Sequence, residues 1–165
     1  LADADRDAFA EMNADPAVMA TIGAPMTRQQ SDAFLDRIGA GWDERGFGLW
    51  CVELDGECLG FTGLSAPWFR DGVEVGWRIR SAQWGNGYAT EAARAALAFG
   101  FDRLGLDEII SFTAITNVRS RRVMDKIGLV RDPVADFEHP SLPEGHPLRP
   151  HVLYRLDDAG YRART

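Results

Sequence analysis

Gln83-Trp84-Gly85-Asn86-Gly87-Tyr88-Ala89-Thr90-Glu91-Ala92 joins a strand-like run, Val73-Glu74-Val75-Gly76-Trp77-Arg78-Ile79-Arg80, to an alanine-rich helical run from about Tyr88 to Leu104. Glycines at a strand-to-helix junction let a ligand come close to the backbone. The helix start also presents amides that have no intrahelical acceptor. Together they form a phosphate or pyrophosphate site. Without a ligand, the same two glycines make a plain turn.

A second signature follows in Asn117-Val118-Arg119-Ser120-Arg121-Arg122-Val123-Met124-Asp125-Lys126-Ile127-Gly128-Leu129, after another strand-like run from Glu108 to Thr116. Asn117 is placed as an N-cap with Ser120 in the first turn. Gly128 stands where a helix C-terminus expects glycine. With both motifs in this order, the chain resembles the GNAT superfamily of acyl-CoA N-acyltransferases. Within it, the resemblance is to the RimJ/RimL-like branch, which acetylates protein N-termini. It covers roughly Asp3 to Leu156. It implies acetyl-CoA as co-substrate and an amine as acceptor, either a peptide N-terminus or a small molecule. The implied fold is α/β: a mixed, mostly antiparallel sheet with a splayed central strand pair, flanked by helices.

Composition agrees with one globular domain over residues 1–165. The chain is 45% hydrophobic and 26% charged, enough for a core. No apolar run approaches the ~18 residues of a membrane span, and no signal peptide is visible. The expected setting is cytoplasmic. A net charge of −7 argues against nucleic acid, which needs a basic footprint, and favours cationic acceptors such as amines. Cys51 and Cys58 flank an Asp55-Gly56 hairpin signal and are expected as free, half-buried thiols. Leu1 is not an initiator methionine, so a trimmed chain is expected. Relatives carry a first strand just before the Asp3 region. A homodimer is the family's common arrangement.

The expected elements are a helix from Asp3 to Asn13, broken at Asp15-Pro16, and a helix after Thr27 to about Glu44. Strands follow at about 47–54, 57–65 and 72–80, then the helix 88–104, a strand 108–116 and a helix 118–127. A strand from about 128 to 137, a Pro-rich loop from His139 to Pro150 and a strand from His151 to Leu156 complete the chain.

Carried over from the family, the cofactor arm enters between the strand 73–80 and the strand 108–116. The backbone around Trp77, Arg78 and Ile79 pairs with it like an extra strand. The amides of Trp84, Gly85, Asn86, Gly87, Tyr88 and Ala89 cradle the pyrophosphate. Gly85 and Gly87 match the family's Gln/Arg-x-x-Gly-x-Gly/Ala pattern, but its first position falls on Ala82, so neighbouring Gln83 is the substitute. Asn117 matches the residue that hydrogen-bonds the arm or the structure around it; a simple helix cap is the other reading. Arg122, with Arg119 and Arg121, forms a basic cluster either for a CoA phosphate or as a solvated helix face.

Acetyl transfer to an amine needs a neutral amine, a stabilised oxyanion and a protonated thiolate. Glu74, on the central strand, is the candidate base; a structural ion pair is its alternative. By strand alternation it faces away from Val73, Val75 and Trp77. Glu91, in a helix first turn, instead complements the dipole. Many superfamily members place a tyrosine where this chain has Met124, which donates no proton. The RimJ/RimL-like branch uses the Ser of Asn-x-x-Ser, here Ser120, and Tyr154 is a distant substitute. His139, His146 and His151 fit no compact zinc spacing, so no metal is expected; His139 and His151 are candidates for the acceptor pocket or for loop packing. Phe47, Trp50, Trp68 and Phe69 are read as core or pocket wall. Besides protein N-terminal acetylation, two readings stay open: a small-molecule amine acetyltransferase and a non-catalytic acyl-CoA sensor.

Overall fold

The computed structural model describes residues 5–164. The expectations about Leu1, a strand before Asp3 and a helix start at Asp3 lie outside the described residues. Three helices lead the described residues: α1 (Arg6–Ala14), α2 (Pro16–Met19) and α3 (Arg28–Arg45). The sequence reading treats Asp15-Pro16 as a stop and misses α2. Asp15 ends α1 and also caps α2, its carboxylate accepting from the Ala17 amide at 2.8 Å, with proline at the first helical position. Thr27 and Gln30 form a reciprocal capping box on α3, and Gly46 closes that helix with φ 71°.

Among the described residues seven strands form one sheet: β1 (Leu49–Leu54), β2 (Glu57–Ser65), β3 (Glu74–Ile79), β4 (Glu108–Ala114), β5 (Val130–Arg131), β6 (Phe137–Glu138) and β7 (Pro150–Asp157). The order is β1-β2-β3-β4-β7-β5, with β6 also on β7. Every pairing is antiparallel except β3 with β4, which are parallel and share the single register pair Glu74–Ile110. The sheet is therefore the mixed, mostly antiparallel kind with a splayed central pair. The long strand expected at 128–137 is instead two two-residue strands, β5 and β6, split by a 3-10 turn at Pro133–Ala135. Proline has no amide to give to a ladder, which breaks the run.

Helices cover both faces of the sheet. α4 (Tyr88–Ala98) and α5 (Val118–Lys126) pack over one face on Leu64, Val75, Ile109 and Val152. α1 and α3 pack over the other on Phe61, where Phe9 stacks at 5.7 Å. The helix expected to run to Leu104 leaves α-geometry after Ala98, and the Leu104 amide reaches back to the Phe99 carbonyl in a π turn. Gly100 lies against β4 there; a Cβ on it would come 2.5 Å from Ile109 Cδ1. A short α6 (Asp158–Arg162), capped by Asp157, ends the described chain and has no counterpart in the sequence reading. The thiols of Cys51 and Cys58 lie 2.7 Å apart across β1 and β2, unbridged. Trp68, read as core or pocket wall, is 77% exposed. Among the described residues, no helix is long and apolar enough to cross a membrane.

Candidate active site

Strand alternation decides what the β3–β4 splay exposes. The Arg80 amide donates to the Leu59 carbonyl at 2.8 Å, while the Val73 carbonyl accepts from the Ile110 amide at 2.9 Å. Even-numbered residues of β3 thus bond to β2, and odd-numbered ones turn their backbone toward β4. Beyond Glu74–Ile110 the two strands no longer pair. The Val75 carbonyl is taken by Ser111 Oγ at 2.8 Å, and the Ile79 carbonyl by the Trp84 indole N–H at 2.8 Å. Trp77 is left with its amide and carbonyl facing the gap. Arg78 corrects the sequence reading: its backbone pairs with Phe61 of β2, so its main chain does not face the gap. Its side chain lines the opening instead.

On the α4–α5 side of the gap lies a groove of about 580 Å³. Gly85 and Gly87 border it with φ 87° and 91°, a region open to glycine and strained for other residues. Gly87 caps α4 without any side-chain bond, so the Tyr88 and Ala89 amides at the helix start have no acceptor among the described residues. Trp77, Ile79, Trp84, Tyr88, Ala89 and the Ala82 substitute Gln83 also line it. Asn86 does not; its side-chain amide bonds back to the Gln83 carbonyl at 3.2 Å. The groove's charged lining is Arg78, Arg119, Arg122 and Lys126, with no carboxylate among its lining residues. Arg119 stacks over Trp84 at 4.4 Å. Arg121 is turned elsewhere, onto the Ile115 carbonyl and Tyr154. A cationic groove in a chain of net charge −7 suits the phosphates of CoA.

On the α3 side lies a second cavity of about 590 Å³. The two meet at Thr21, Ile22, Trp77, Arg78, Asn117 and Ser120, which line both. Glu74 lines the second cavity and faces away from the buried Val75, as alternation requires. Burial pushes the Glu74 carboxyl up to about 8, against a hydrogen bond from Ser65 and the charge of Arg70. Ser65 Oγ, directly across the β2–β3 pairing, donates to Oε2 at 3.2 Å. No salt bridge holds Glu74 among the described residues. A carboxyl with that environment is suited to take a proton near neutral pH.

His139 and His151 also line this cavity, rings 4.8 Å apart, within a cluster of Phe69, Phe112 and Phe137. Burial lowers the pKa of both histidines, so they stay neutral at physiological pH. His146 lies outside both cavities. Among the described residues one group of metal-ligand type comes together, Asp5 with Cys51 and Cys58, and none of the three lines either cavity.

Asn117 uses its whole side chain structurally while facing the junction. Its Oδ1 accepts from the Ser120 amide at 3.1 Å and its Nδ2 donates to Thr113 Oγ1 at 3.0 Å. The Ser120 hydroxyl, half-buried at the junction, makes no hydrogen bond to the described residues. Met124, at the superfamily tyrosine position, is 1% exposed and packed in the core. A tyrosine there would have to displace packed side chains. Tyr154 is 3% exposed, accepts from Arg121 at 3.4 Å and lines neither cavity. Ser120→Ala is therefore expected to slow acetyl transfer by about 10²-fold. Because Asn117, not Ser120, supplies the cap, thermal stability should stay near wild type. Unchanged turnover in this variant would leave water as the proton donor.

Sequence reasoning missed the α2–α3 connection at Thr21 and Ile22 and the cavity face of α3 at Phe34, Arg37, Ile38, Gly41 and Arg45. The i, i+3, i+4, i+7 spacing was a signal, but it reads the same for a core face as for a pocket wall.

Comparison with known proteins agrees with this geometry. A family model described as an acetyltransferase (GNAT) domain matches residues 1–130. The chain belongs to the GNAT acetyltransferase family. A relative from Aspergillus fumigatus, FsC-acetyl coenzyme A-N(2)-transacetylase, is 33% identical over 135 residues, covering 75% of this chain. The chain spans only 57% of that relative's length. Among solved structures, an acetyltransferase from Agrobacterium tumefaciens superposes with TM-score 0.79 at 29% identity, over 94% of this chain and 86% of its own. A spermidine N-acetyltransferase from Vibrio cholerae, in complex with CoA and spermine, shares the fold at TM-score 0.77 and 15% identity, over 98% of this chain and 95% of its own.

Proposed function

We propose that this chain is a single-domain, acetyl-CoA-dependent N-acetyltransferase that delivers acetyl directly to a primary α-amine. The observation that carries the reading is the junction. A cationic groove with a glycine-rich helix start runs into a second cavity whose one carboxyl, Glu74, has a pKa of about 8. The Aspergillus relative's name, an acetyl coenzyme A N(2)-transacetylase, supports both co-substrate and nitrogen acceptor.

In this reading the pyrophosphate rests on the Gly85–Ala89 amides, with Arg119 and Arg122 beside the phosphates. The pantetheine arm pairs with the Trp77 backbone. The acceptor enters the second cavity as an ammonium. Glu74 takes its proton. The freed nitrogen attacks the thioester carbonyl, the N–C bond forms, and the oxyanion is met by the Trp77 amide. The C–S bond then breaks as Ser120, directly or through water, protonates the thiolate, and the second proton shed by the nitrogen returns to Ser120. The Glu74 proton leaves to solvent.

The acceptor class follows from proton cost. An α-amine has a pKa of about 7.7–8.0 and a lysine about 10.4, so neutralising lysine costs ~3 kcal/mol more. A base near 8 suits the α-amine. A protein N-terminus, the acceptor of the RimJ/RimL-like branch, offers that nucleophile; so does a free amino acid. The Asn117-x-x-Ser120 pair and the packed Met124 support the branch assignment.

The test is thiol release from acetyl-CoA with a panel of α-amines, ω-amines and peptides. Acetylation of α-amines with equimolar CoA release is expected. Tight acetyl-CoA binding with no amine acetylated would favour the sensor reading instead.

A further inference from the structure

The second cavity has the opposite charge character from the chain. Three arginines line it, Arg37, Arg45 and Arg78, against one carboxyl, Glu74. Arg45 is paired with Glu44 at 2.9 Å. Arg37 and Arg78 have no carboxylate ion pair among the described residues, and neither do Arg70, Arg94, Arg103, Arg119, Arg121, Arg122 and Arg164. What sets Arg37 and Arg78 apart is that both line this cavity and both lie on one ring, Arg37 at 5.9 Å and Arg78 at 5.5 Å from the Phe34 centroid.

Arg78 is held in place. It also lies over Phe61 at 5.2 Å, and its Nη1 donates to Asn13 Oδ1 at 2.5 Å. Asn13 is fixed in turn by its bond to Ser31 Oγ at 2.8 Å, both residues fully buried. This relay is neutral, so it orients the cation without cancelling its charge. On the opposite edge, Nε is buried with no acceptor and Nη2 makes no hydrogen bond to the described residues. Arg37 is exposed and screened by water, whereas burial of Arg78 leaves its charge without a counter-ion, a setting an arriving anion would stabilise. A carboxylate in the cavity is the natural partner for the guanidinium donors that line it.

Resting on the acetyltransferase reading above, we infer that the acceptor is an amino-acid-like zwitterion, its amine presented to Glu74 and its carboxylate held by Arg78 and Arg37. A protein N-terminus carries no carboxylate next to its amine, and a polyamine brings only positive charge to this wall. The net charge of −7 pointed to cationic acceptors; the charges lining the cavity point the other way. Long-range field and local complementarity are separate effects, and the local one selects the ligand.

The experiment compares kcat/KM for matched acceptors that share one side chain: the free α-amino acid, its carboxamide, its decarboxylated amine, its phosphonate analogue, a peptide beginning with the same residue, and spermidine. The best free amino acid should exceed its carboxamide and decarboxylated amine by at least about tenfold to a hundredfold. Arg37→Gln, an exposed change that leaves the core intact, should cut that ratio several-fold. Arg78→Met, which keeps the contact with Phe34 and Phe61, should abolish it. Arg37→Gln, whose residue lines only the second cavity, should bind acetyl-CoA within about twofold of wild type by calorimetry. Equal rates for the acid and its amide, or a preference for spermidine, the peptide or the phosphonate, would overturn the inference and leave the acetyltransferase assignment standing. So would an Arg78→Met variant that keeps the acceptor ratio. If no amine is acetylated at all, both readings fall.

Discussion

Glu74→Gln should lower turnover at pH 7 by about 10³-fold while shifting the acetyl-CoA Michaelis constant by no more than a few-fold. Glutamine keeps the shape and the hydrogen-bonding partner Ser65, so only the proton-accepting role is removed. In wild type, kcat should rise with pH and level off above about 8, following the carboxyl that burial raises. The variant should lack that inflection. Its rate should recover in part at high pH, where solution already supplies neutral amine. A flat ratio of wild type to variant from pH 6 to pH 10 would remove Glu74 from the chemistry.

The same residue makes a stability prediction of definite sign. The carboxyl titrates near 4.5 when unperturbed and near 8 in the fold. Between those values the folded chain holds a proton that the unfolded chain has released. Stability is therefore lost as pH rises through that window. Glutamine mimics the protonated acid at every pH. Glu74→Gln should gain Tm relative to wild type from pH 5 to pH 9, becoming more stable as it becomes less active.

Gly87→Val is expected to weaken acetyl-CoA binding by about 10²–10³-fold while the fold persists. Gly87 has φ 91°, which a β-branched residue adopts only with strain. A Cβ there meets no protein atom within 4 Å, so crowding of the unliganded chain is not the cause of the loss. What is lost is the loop geometry that aims the first α4 amides, together with close approach of the pyrophosphate; each charge-assisted bond contributes about 1.5–3 kcal/mol. Unaltered affinity in a folded variant, measured by calorimetric titration, would place the phosphates elsewhere.

The parts of this site that were legible in the sequence are those that depend on backbone. Glycine at a strand-to-helix junction, Thr27 before a periodic helix and Asp55-Gly56 between strands each carry their meaning locally. Glu74 could be given a face because alternation along a strand needs no partner. Whether that face was half-buried could not be read, because its surroundings include Ser65 across the sheet and the other walls of the cavity. Arg78 shows the limit most clearly. The family resemblance implied a backbone role for it, but parity assigns its main chain to β2. The side chain's setting depends on Asn13, Phe34 and Phe61, three residues on three other elements. The 128–137 strand failed for a local reason that was visible, Pro133, and Met124 could be placed as a non-donor but not as a core residue.

The most direct test of the account is product analysis with acetyl-CoA carrying a labelled acetyl group and an α-amino acid as acceptor. Thiol release and label incorporation are followed together in wild type and Glu74→Gln. The account predicts one labelled N-acetyl product per thiol released, with the rate of both falling together in the variant. Thiol release without labelled amine, or labelled amine formed equally well by Glu74→Gln at pH 7, would contradict direct transfer at this junction.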